Sequence, residues 1–346
     1  MKAAVWLRFL ACIYVMALVS ISILNWKGPE RFWLGAVNLY MPQVMWAVPG
    51  MFLTVFMFKA DRCWAWLPLL CLLWALGPVM GYCWSMNQPE PAPGSLNIRV
   101  MTWNIKYDRR KAARFIREID RCKPDVLLFQ DAWNSMRGPL GKHMPPDWHV
   151  LTRGQYVIAS RYPLSEAEVH ELPFSGKRKE SFLRCRMTVG STAISLYNVH
   201  FKTPRNSFYT LSKAKSRPWD LPEFIRSFDN NMKIRIVQAA TIREYLIAER
   251  GPVILSGDLN APDASLVCST LRGAGLRDAF AEGGRGYGYT YGHFLLKNRL
   301  PWLRFSWMRI DHIMSNAQLK TRNCRVGTGK ASDHRPVIAD MVIKAT

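Results

Sequence analysis

The sequence predicts two parts: a membrane domain of three helices at residues 1–88, and an α/β domain with two packed sheets at residues 96–346. Three apolar segments predict the membrane domain, at about residues 5–24, 34–58 and 63–84. Two sheets are predicted because strand-like runs outnumber helical ones after residue 96 and alternate with them only in part, unlike a doubly wound sheet. The proline-rich residues 89–95 are predicted to be a short stiff linker.

Each apolar segment is long enough to cross the hydrocarbon core of a bilayer, which is about 30 Å thick and needs roughly 20 helical residues. Tryptophans lie mostly near the segment ends, as interfacial aromatic side chains do. A signal peptide followed by core helices, or a buried hairpin, is the alternative, but a signal peptide would explain only the first segment. We therefore expect three transmembrane helices.

Charge near the segments bears on membrane orientation. Lys2 and Arg8 precede or enter the first segment, whereas residues 85–98 after the third segment contain no Lys or Arg. Short flanks rich in Lys and Arg stay in the cytoplasm. An inside amino terminus and three crossings then predict an integral protein of the plasma (inner) membrane, with the α/β domain on the non-cytoplasmic side.

The elements of the α/β domain follow from its apolar patterns. Strands are expected at residues 96–103, 126–129, 157–159, 182–189, 193–200, 253–255 and 336–343, with a further strand leading into Asp311. Helices are expected at residues 110–121, 223–249 and 264–272. The apolar face of the long helix is expected to consist of Ile234, Val237, Ile242, Leu246 and Ile247.

The charge of this domain favours an anionic partner. After residue 95 the chain carries 41 basic and 22 acidic side chains, a net charge of +19. Such a field attracts nucleic acid, phosphorylated small molecules or anionic lipid headgroups, and it does not choose among them.

Six short polar motifs lie on or just after the predicted strands. They are Thr102-Trp103-Asn104, Gln130-Asp131, Asn198-Val199-His200, Gly257-Asp258-Leu259-Asn260, Arg309-Ile310-Asp311-His312 and Ser332-Asp333-His334-Arg335-Pro336. Their carboxylates, carboxamides and imidazoles are the groups needed to hold Mg²⁺ and to cleave a phosphate ester. In this order the motifs resemble the endonuclease/exonuclease/phosphatase superfamily, which includes deoxyribonuclease I, apurinic endonucleases, inositol phosphatases and neutral sphingomyelinases.

The resemblance covers about residues 97–342 and implies a four-layer α/β/β/α sandwich. The active site of such a sandwich lies where the strand ends of both sheets converge. The implied activity is metal-dependent hydrolysis of a phosphoric ester by in-line attack of water.

The resemblance also assigns roles to individual side chains. Asp258 would position or deprotonate the attacking water, and Asn260 would bind a phosphoryl oxygen. His334 would handle the proton of the water or of the transition state, and Asp311 would fix its tautomer. His200 would donate a hydrogen bond to the phosphate.

Two of these roles also have a local physical argument. If the strand geometry continues past Asp258, the side chains of Asp258 and Asn260 point the same way, and Gly257 allows a close approach of backbone and substrate. His312 is expected to be structural, because adjacent residues on a strand face opposite ways.

The implied metal ligands are Asn104, Asp131 and Asp333, whose oxygens suit Mg²⁺, with Mn²⁺ possible. For Asp333 the resemblance implies either a metal ligand or an orienting residue. Here the chain departs from the family, since the usual residue after the Gln is Glu and this chain has Asp131. The shorter side chain predicts weaker metal binding rather than a lost site.

Lys202 and Arg205, which follow His200, could contact a substrate phosphate. No carboxylate near Gly154-Gln155 can be assigned to support His200 as one does in deoxyribonuclease I. Residues 287–309 interleave aromatic and basic side chains. This segment could stack bases, press into a bilayer interface, or form a core strand pair joined by a basic loop.

These observations predict a membrane-anchored, Mg²⁺-dependent phosphoesterase. A phosphodiesterase or nuclease acting on nucleic acid is the first expectation, and a phospholipid or lipid-linked phosphoesterase is the second. A catalytically weakened binding protein on the same fold is the alternative of another class. No protein partner is evident from the sequence.

Overall fold

The computed structural model describes residues 2–85, 95–173, 180–205, 207–208, 218–292, 305–328 and 331–343. The chain divides into two compact units, Met1–Cys83 with Asp263–Leu266 and Trp84–Pro262 with Val267–Thr346. Most of the predicted linker at 89–95 lies outside the described residues, as does the middle of the aromatic and basic segment at 287–309.

The first unit is helical. Its helices are α1 (Lys2–Lys27), α2 (Trp33–Tyr40), α3 (Ala47–Ala60) and α4 (Trp66–Trp74). A 3₁₀ turn at Gln43–Trp46 precedes α3, and a π turn at Ala75–Val79 follows α4. Within the described residues, three helical stretches are long and apolar enough to cross a membrane: Lys2–Lys27, Gln43–Ala60 and Arg62–Val79.

The prediction of one continuous helix over residues 34–58 is wrong. α2 ends at Tyr40, and Met41 is extended, with φ −78° and ψ 155°. Pro42 causes this break, since a proline disfavours helical backbone in the residue before it. The third predicted segment is also too long, because its helical stretch ends at Val79.

Among the described residues, the second unit contains two six-stranded sheets. In chain order their strands are β1 (Asn97–Asn104), β2 (Val126–Gln130), β3 (His149–Arg153), β4 (Tyr156–Ser160), β5 (Leu164–Leu172), β6 (Glu180–Val189), β7 (Thr192–His200), β8 (Val253–Asp258), β9 (Arg277–Asp278), β10 (Asp311–Ser315), β11 (Leu319–Val326) and β12 (Val337–Ile343). The first sheet has the order β11-β12-β1-β2-β4-β3, and the second has the order β9-β10-β8-β7-β6-β5. Two-residue strands also occur at Cys83–Trp84 and Arg285–Gly286.

Helices cover the two sheets. They are α5 (Ala112–Cys122), α6 (Pro139–His143), α7 (Leu221–Ala248), α8 (Leu266–Gly273) and α9 (Ala279–Gly283). Phe115 of α5 packs in a buried cluster with Phe129 of the first sheet, and Ile242 of α7 packs with Leu255 of the second.

The two sheets contact each other directly. Gln130, at the end of β2, donates through Nε2 to Asn198 Oδ1 of β7 at 2.7 Å. Because Phe129 and Gln130 are adjacent on a strand, they face opposite ways, so one face of the first sheet meets the helix and the other meets the second sheet. The predicted four-layer α/β/β/α sandwich is confirmed.

The predicted apolar face of α7 is partly wrong. Val237 and Ile247 are exposed, whereas Arg235 and Gln238 are buried. Both buried polar side chains bind loops next to the strand ends: Arg235 donates to the carbonyl oxygen of Asn260, and Gln238 Oε1 accepts from the backbone N of Lys202 at 3.1 Å. Which face of α7 is buried therefore depends on hydrogen bonds to these loops as well as on the spacing of apolar residues.

Candidate active site

Three of the predicted side chains lie side by side at strand ends of the second sheet. β7 is parallel to β8 with His200 opposite Asp258, and β10 is antiparallel to β8 with Asp311 opposite Asp258. Residues opposite each other on paired strands point to the same face. Strand register therefore brings together groups that are far apart in the chain.

Gly257 permits the close approach of β7 and β8 at this point. Its φ of 144° is one that L side chains rarely adopt, and an added Cβ would lie 1.9 Å from Val199 O. The sequence suggested that Gly257 lets backbone and substrate approach closely. In the structure the close approach is between the backbones of β7 and β8.

Groups from both sheets converge on one oxygen of Asp258, which is buried. Asn104, at the end of β1, donates through Nδ2 to Asp258 Oδ2 at 2.9 Å. His200 Nε2 and His334 Nε2 each lie 3.6 Å from the same oxygen. A carboxylate and two imidazoles are thus within reach of a single reacting phosphate.

His334 and Asp311 form a buried hydrogen-bonded pair beside Asp258. His334 Nδ1 donates to the Asp311 carboxylate, at 3.0 Å from Oδ1 and 2.9 Å from Oδ2. Burial lowers the pKa of His334, but the charges of Asp311 and Asp258 more than offset burial and raise that pKa to about 9. The imidazole is therefore held in one orientation and is cationic at neutral pH.

His200 is supported by a carboxamide that the sequence did not reveal. Its Nδ1 donates to Gln155 Oε1 at 2.8 Å. No supporting group near Gly154-Gln155 could be assigned from the sequence, and in the structure the Gln155 carboxamide makes this hydrogen bond. A neutral acceptor orients the ring without adding a second charge. The only signal in the sequence was a polar residue just before β4.

Asn260 does not follow the extended geometry that the sequence suggested. β8 ends at Asp258, and Asn260 is left-handed with φ 48°. The Asn260 backbone N donates to Asp258 Oδ1 at 2.8 Å, and its Nδ2 donates to Phe201 O at 2.9 Å. An Asp side chain that accepts from the backbone two residues on forms a turn, which ends the strand here.

His312 is structural, as expected. Its Nδ1 donates to Asp278 Oδ2 at 2.9 Å, and its Nε2 donates to Ala261 O at 3.1 Å. The ring is buried on the opposite side of β10 from Asp311. It links the strand that carries Asp311 to the turn that carries Asn260.

Three charged groups lie at the rim of the site. Lys106 Nζ is 2.7 Å from Asp333 Oδ2, and an Arg205 terminal nitrogen is 3.5 Å from the same oxygen. Burial raises the pKa of the Asp333 carboxyl, but His334 and Lys106 outweigh burial and lower it. Lys202 lies nearby in sequence, and burial lowers the pKa of its ammonium. Neither Lys106 nor Gln155 was among the side chains expected from the sequence.

The residues present fit a divalent cation. Asn104 Oδ1 is buried, and no hydrogen-bond partner for it lies among the described residues. Gln130, which pairs with Asn104 across β1 and β2, is followed directly by Asp131. A hard cation would supply the missing partner of this carboxamide oxygen, and a carboxylate such as that of Asp131 is the kind of further ligand that it prefers.

A second grouping of ligand atoms is less suited to a cation. The ligand atoms of Asp258, Asp311 and His334 all lie within 4.8 Å of one another. The hydrogen bond between His334 and Asp311 already occupies Nδ1, so we interpret this group as acid–base machinery. Neither Asp131 nor Asp333 belongs to such a group among the described residues, and their metal-binding role stays a prediction.

Comparisons with known proteins agree with this architecture. The Endonuclease/Exonuclease/phosphatase family profile matches residues 101–334. An endonuclease/exonuclease/phosphatase from Bacteroides vulgatus is 19% identical, with a TM-score of 0.55 over 72% of this chain and 100% of that chain. A family protein from Bacteroides thetaiotaomicron is 14% identical, with a TM-score of 0.55 over 72% and 99% of the two chains.

The protein TDP2 offers a further similar structure. Truncated TDP2 from Caenorhabditis elegans is 18% identical, with a TM-score of 0.51 over 71% of this chain and 98% of that chain. No curated protein sequence matches the chain significantly.

The matched residues make up more than half of the chain and include every predicted site residue, from Asn104 to His334. The sheets, the strand-end site and the family match agree with one another. The chain belongs to the endonuclease/exonuclease/phosphatase family and is a metal-dependent phosphoric ester hydrolase.

Proposed function

We propose that this protein is a Mg²⁺-dependent phosphodiesterase that its apolar helices hold at the plasma (inner) membrane. One observation carries the proposal: His200, His334 and Asn104 converge on Asp258 Oδ2, with Asp311 behind His334. This is a set of groups that can take a proton from water and offset charge on a phosphate.

Each side chain has a defined part in the proposed reaction. The Asp258 carboxylate orients the attacking water and accepts its proton. His334, cationic because Asp311 and Asp258 raise its pKa, donates to a non-bridging oxygen as charge develops there. His200 presents Nε2 to the phosphate, because Gln155 holds Nδ1.

Asn104 and Asp131 are the proposed ligands of Mg²⁺, with Mn²⁺ as a substitute. The cation, when bound, supplies Lewis acidity and charge neutralisation at the phosphoryl oxygens. Asn104 would thus use both ends of its carboxamide, since Nδ2 binds Asp258 and Oδ1 is left for the cation.

Nucleic acid is the first substrate that we propose. The net charge of +19 after residue 95 supports a polyanion. A phospholipid or lipid-linked phosphoester is the second candidate, favoured by the apolar helices, whose hydrophobic side chains such as Trp6, Met16 and Phe52 are strongly exposed.

We place the catalytic unit on the non-cytoplasmic side of the membrane. Carboxyl-terminal fusions to alkaline phosphatase or green fluorescent protein would report on which side the carboxyl terminus lies.

The test of the activity uses the full chain, purified in detergent and stripped of metal. Single-stranded DNA, duplex DNA, RNA, a phosphomonoester and phospholipid vesicles are assayed with Mg²⁺, Mn²⁺ or chelator. We expect metal-dependent hydrolysis of a phosphodiester that is lost in Asp258→Asn and His334→Ala. Asp340→Asn is the matched control, because that carboxylate is partly buried and pairs with Arg99 rather than with one of the site residues. Turnover that survives in chelator or in both site variants would refute the proposal.

A further inference from the structure

The rim of the site contains two cations that are held by one carboxylate. Lys106 Nζ and an Arg205 terminal nitrogen lie 2.7 Å and 3.5 Å from Asp333 Oδ2, so these two nitrogens are at most about 6.2 Å apart. The side chain of Asp333 is 17% exposed, whereas those of Lys106 and Arg205 are 42% and 55% exposed. The carboxylate is thus largely enclosed, and the two cations face solvent with a net charge of about +1.

The backbone fixes the position of Lys106. Its φ is 42°, a left-handed value that is uncommon for a lysine. Both neighbours are tied to the first sheet: the Ile105 backbone N donates to Gln130 O at 3.0 Å, and the Tyr107 backbone N donates to Asp131 O at 3.0 Å. Strained backbone that its surroundings hold in place is a recurrent feature of functional sites.

Arg205 is tied to the other side of the same site. It hydrogen-bonds Tyr291, and this contact helps to raise the pKa of Arg205 although burial lowers it. The Tyr291 ring lies 4.6 Å from the His334 ring, centroid to centroid. Arg205 is therefore one side chain away from His334.

Charge balance distinguishes the group of Lys106, Arg205 and Asp333 from an ordinary surface ion pair of one cation and one carboxylate. One carboxylate would neutralise one cation, and an ammonium and a guanidinium together have more N–H donors than Asp333 has acceptor positions. A phosphate group has several oxygens of the geometry that such donors bind well. The proposed Asp258 and His334 chemistry accounts for the scissile phosphate, so the rim cations suit a different one.

We propose that Lys106 and Arg205, positioned by Asp333, form a subsite for a second phosphate of the substrate, next to the phosphate that is cleaved. In this arrangement Asp333 acts as a positioning residue for the two cations. The inference rests on the proposed function and narrows it to phosphodiesters that carry a further phosphate close by. A neutral or zwitterionic headgroup would leave the subsite without a partner.

The test compares substrates that differ only by that second phosphate. The full chain in detergent is assayed on thymidine 5′-(4-nitrophenyl phosphate) with and without a 3′-phosphate, and on a thymidine dinucleotide with and without a terminal phosphate. Wild type is expected to prefer the doubly phosphorylated compounds by about tenfold in kcat/KM, mostly through KM, which is the range of one charge-assisted hydrogen bond.

The variants are Lys106→Gln, Arg205→Gln and Asp333→Asn, with Lys320→Gln as the control for loss of one exposed positive charge on β11. We expect each rim variant to remove most of the preference, and we expect Lys106→Gln to do so while activity on the singly phosphorylated compounds stays within about twofold to threefold. The control is expected to keep the preference. Preference in the nucleoside pair alone would indicate a phosphorylated small molecule, and preference in the dinucleotide pair alone would indicate a polynucleotide.

Equal loss on both members of a pair, or no preference in wild type, would overturn the subsite. Binding of the same compounds to the full chain in chelator provides a readout without turnover. If no compound is hydrolysed, the proposed function fails. The binding preference and its loss in Lys106→Gln then still support the subsite, and equal binding of both members of each pair overturns it.

Discussion

The pair formed by His334 and Asp311 gives the sharpest prediction. The substitution Asp311→Asn keeps the shape of the side chain and removes its charge. The wild-type carboxylate has both oxygens within 3.0 Å of His334 Nδ1, and neither side chain has appreciable contact with solvent. The carboxylate is therefore the strongest orienting contact of the ring and a main source of its positive charge.

The sign of the effect follows from the causes of the pKa shift. Burial lowers the pKa of His334, and the charges of Asp311 and Asp258 raise it to about 9. With Asp311 neutral, burial is opposed only by the weaker influence of Asp258 and Asp333, so the pKa of His334 falls. The wild-type enzyme should keep the cationic form up to about pH 9, and the variant should lose it at lower pH.

The expected loss in kcat at pH 7.5 is about 10²-fold to 10⁴-fold, the range of a positioned acid or base. This corresponds to about 2.7 to 5.4 kcal/mol in the activation free energy. The assay is kcat against pH from 5 to 10 on the best phosphodiester substrate, with saturating Mg²⁺. Asp340→Asn controls for the loss of a partly buried carboxylate elsewhere. A variant with kcat within threefold of wild type, or with an unmoved alkaline limb, would refute the role of Asp311.

Three further predictions concern metal, backbone and stability. Asp131→Glu should lower the Mg²⁺ concentration for half-maximal activity by about tenfold, because the longer side chain reaches further. The same change should lower the free energy of unfolding by about 1 kcal/mol, because residue 131 has a left-handed φ of 49°. An unchanged Mg²⁺ requirement would argue against Asp131 as a ligand. Gly257→Ala should destabilise the protein by about 3 kcal/mol or more, measured as the melting temperature in detergent, because its Cβ would meet backbone at 1.9 Å. Burial lowers the pKa of His312, but contacts with Cys268 and Asp278 raise it to about 10, so its stabilising charge is fully present below pH 6.5 and is lost as pH rises through about 10. His312→Gln should therefore lower the melting temperature at pH 7 and flatten its decline towards pH 10, and an equal slope in both proteins would contradict this.

The sequence predicted the two-part organisation because the apolar composition that distinguishes the two parts is a local property of each segment. The length of an apolar run shows directly whether it can cross a bilayer. α1 begins and ends within three residues of its expected bounds. The same applies to β1, β2 and β7, whose bounds differ by one residue from those expected. Local breaks were harder, since the single Pro42 divided a helix that the apolar pattern alone would have continued.

The sequence also indicated most of the polar groups that the structure brings together at the strand ends, because the motifs that end the strands carry groups of specific chemistry. It did not predict how they contact one another. Gln155 and Lys106 have no motif of their own, and they entered the site through contacts with His200 and Asp333 from other strands. The extended backbone expected after Asp258 was wrong, because the Asp258 carboxylate accepts from the Asn260 backbone N and turns the chain, while the role of Asn260 in binding phosphate stays a prediction.

By itself, then, the sequence determined the layers, the apolar helices and the inventory of carboxylates and imidazoles, all of which depend on local composition and spacing. Tertiary structure alone decided that Asp258 Oδ2 is the point where Asn104, His200 and His334 meet, and that Asp333 holds two cations at the rim. The physical reason is strand register. Pairing of β7, β8 and β10 places distant residues opposite one another, and only the packed sheets fix which atoms come within hydrogen-bonding distance.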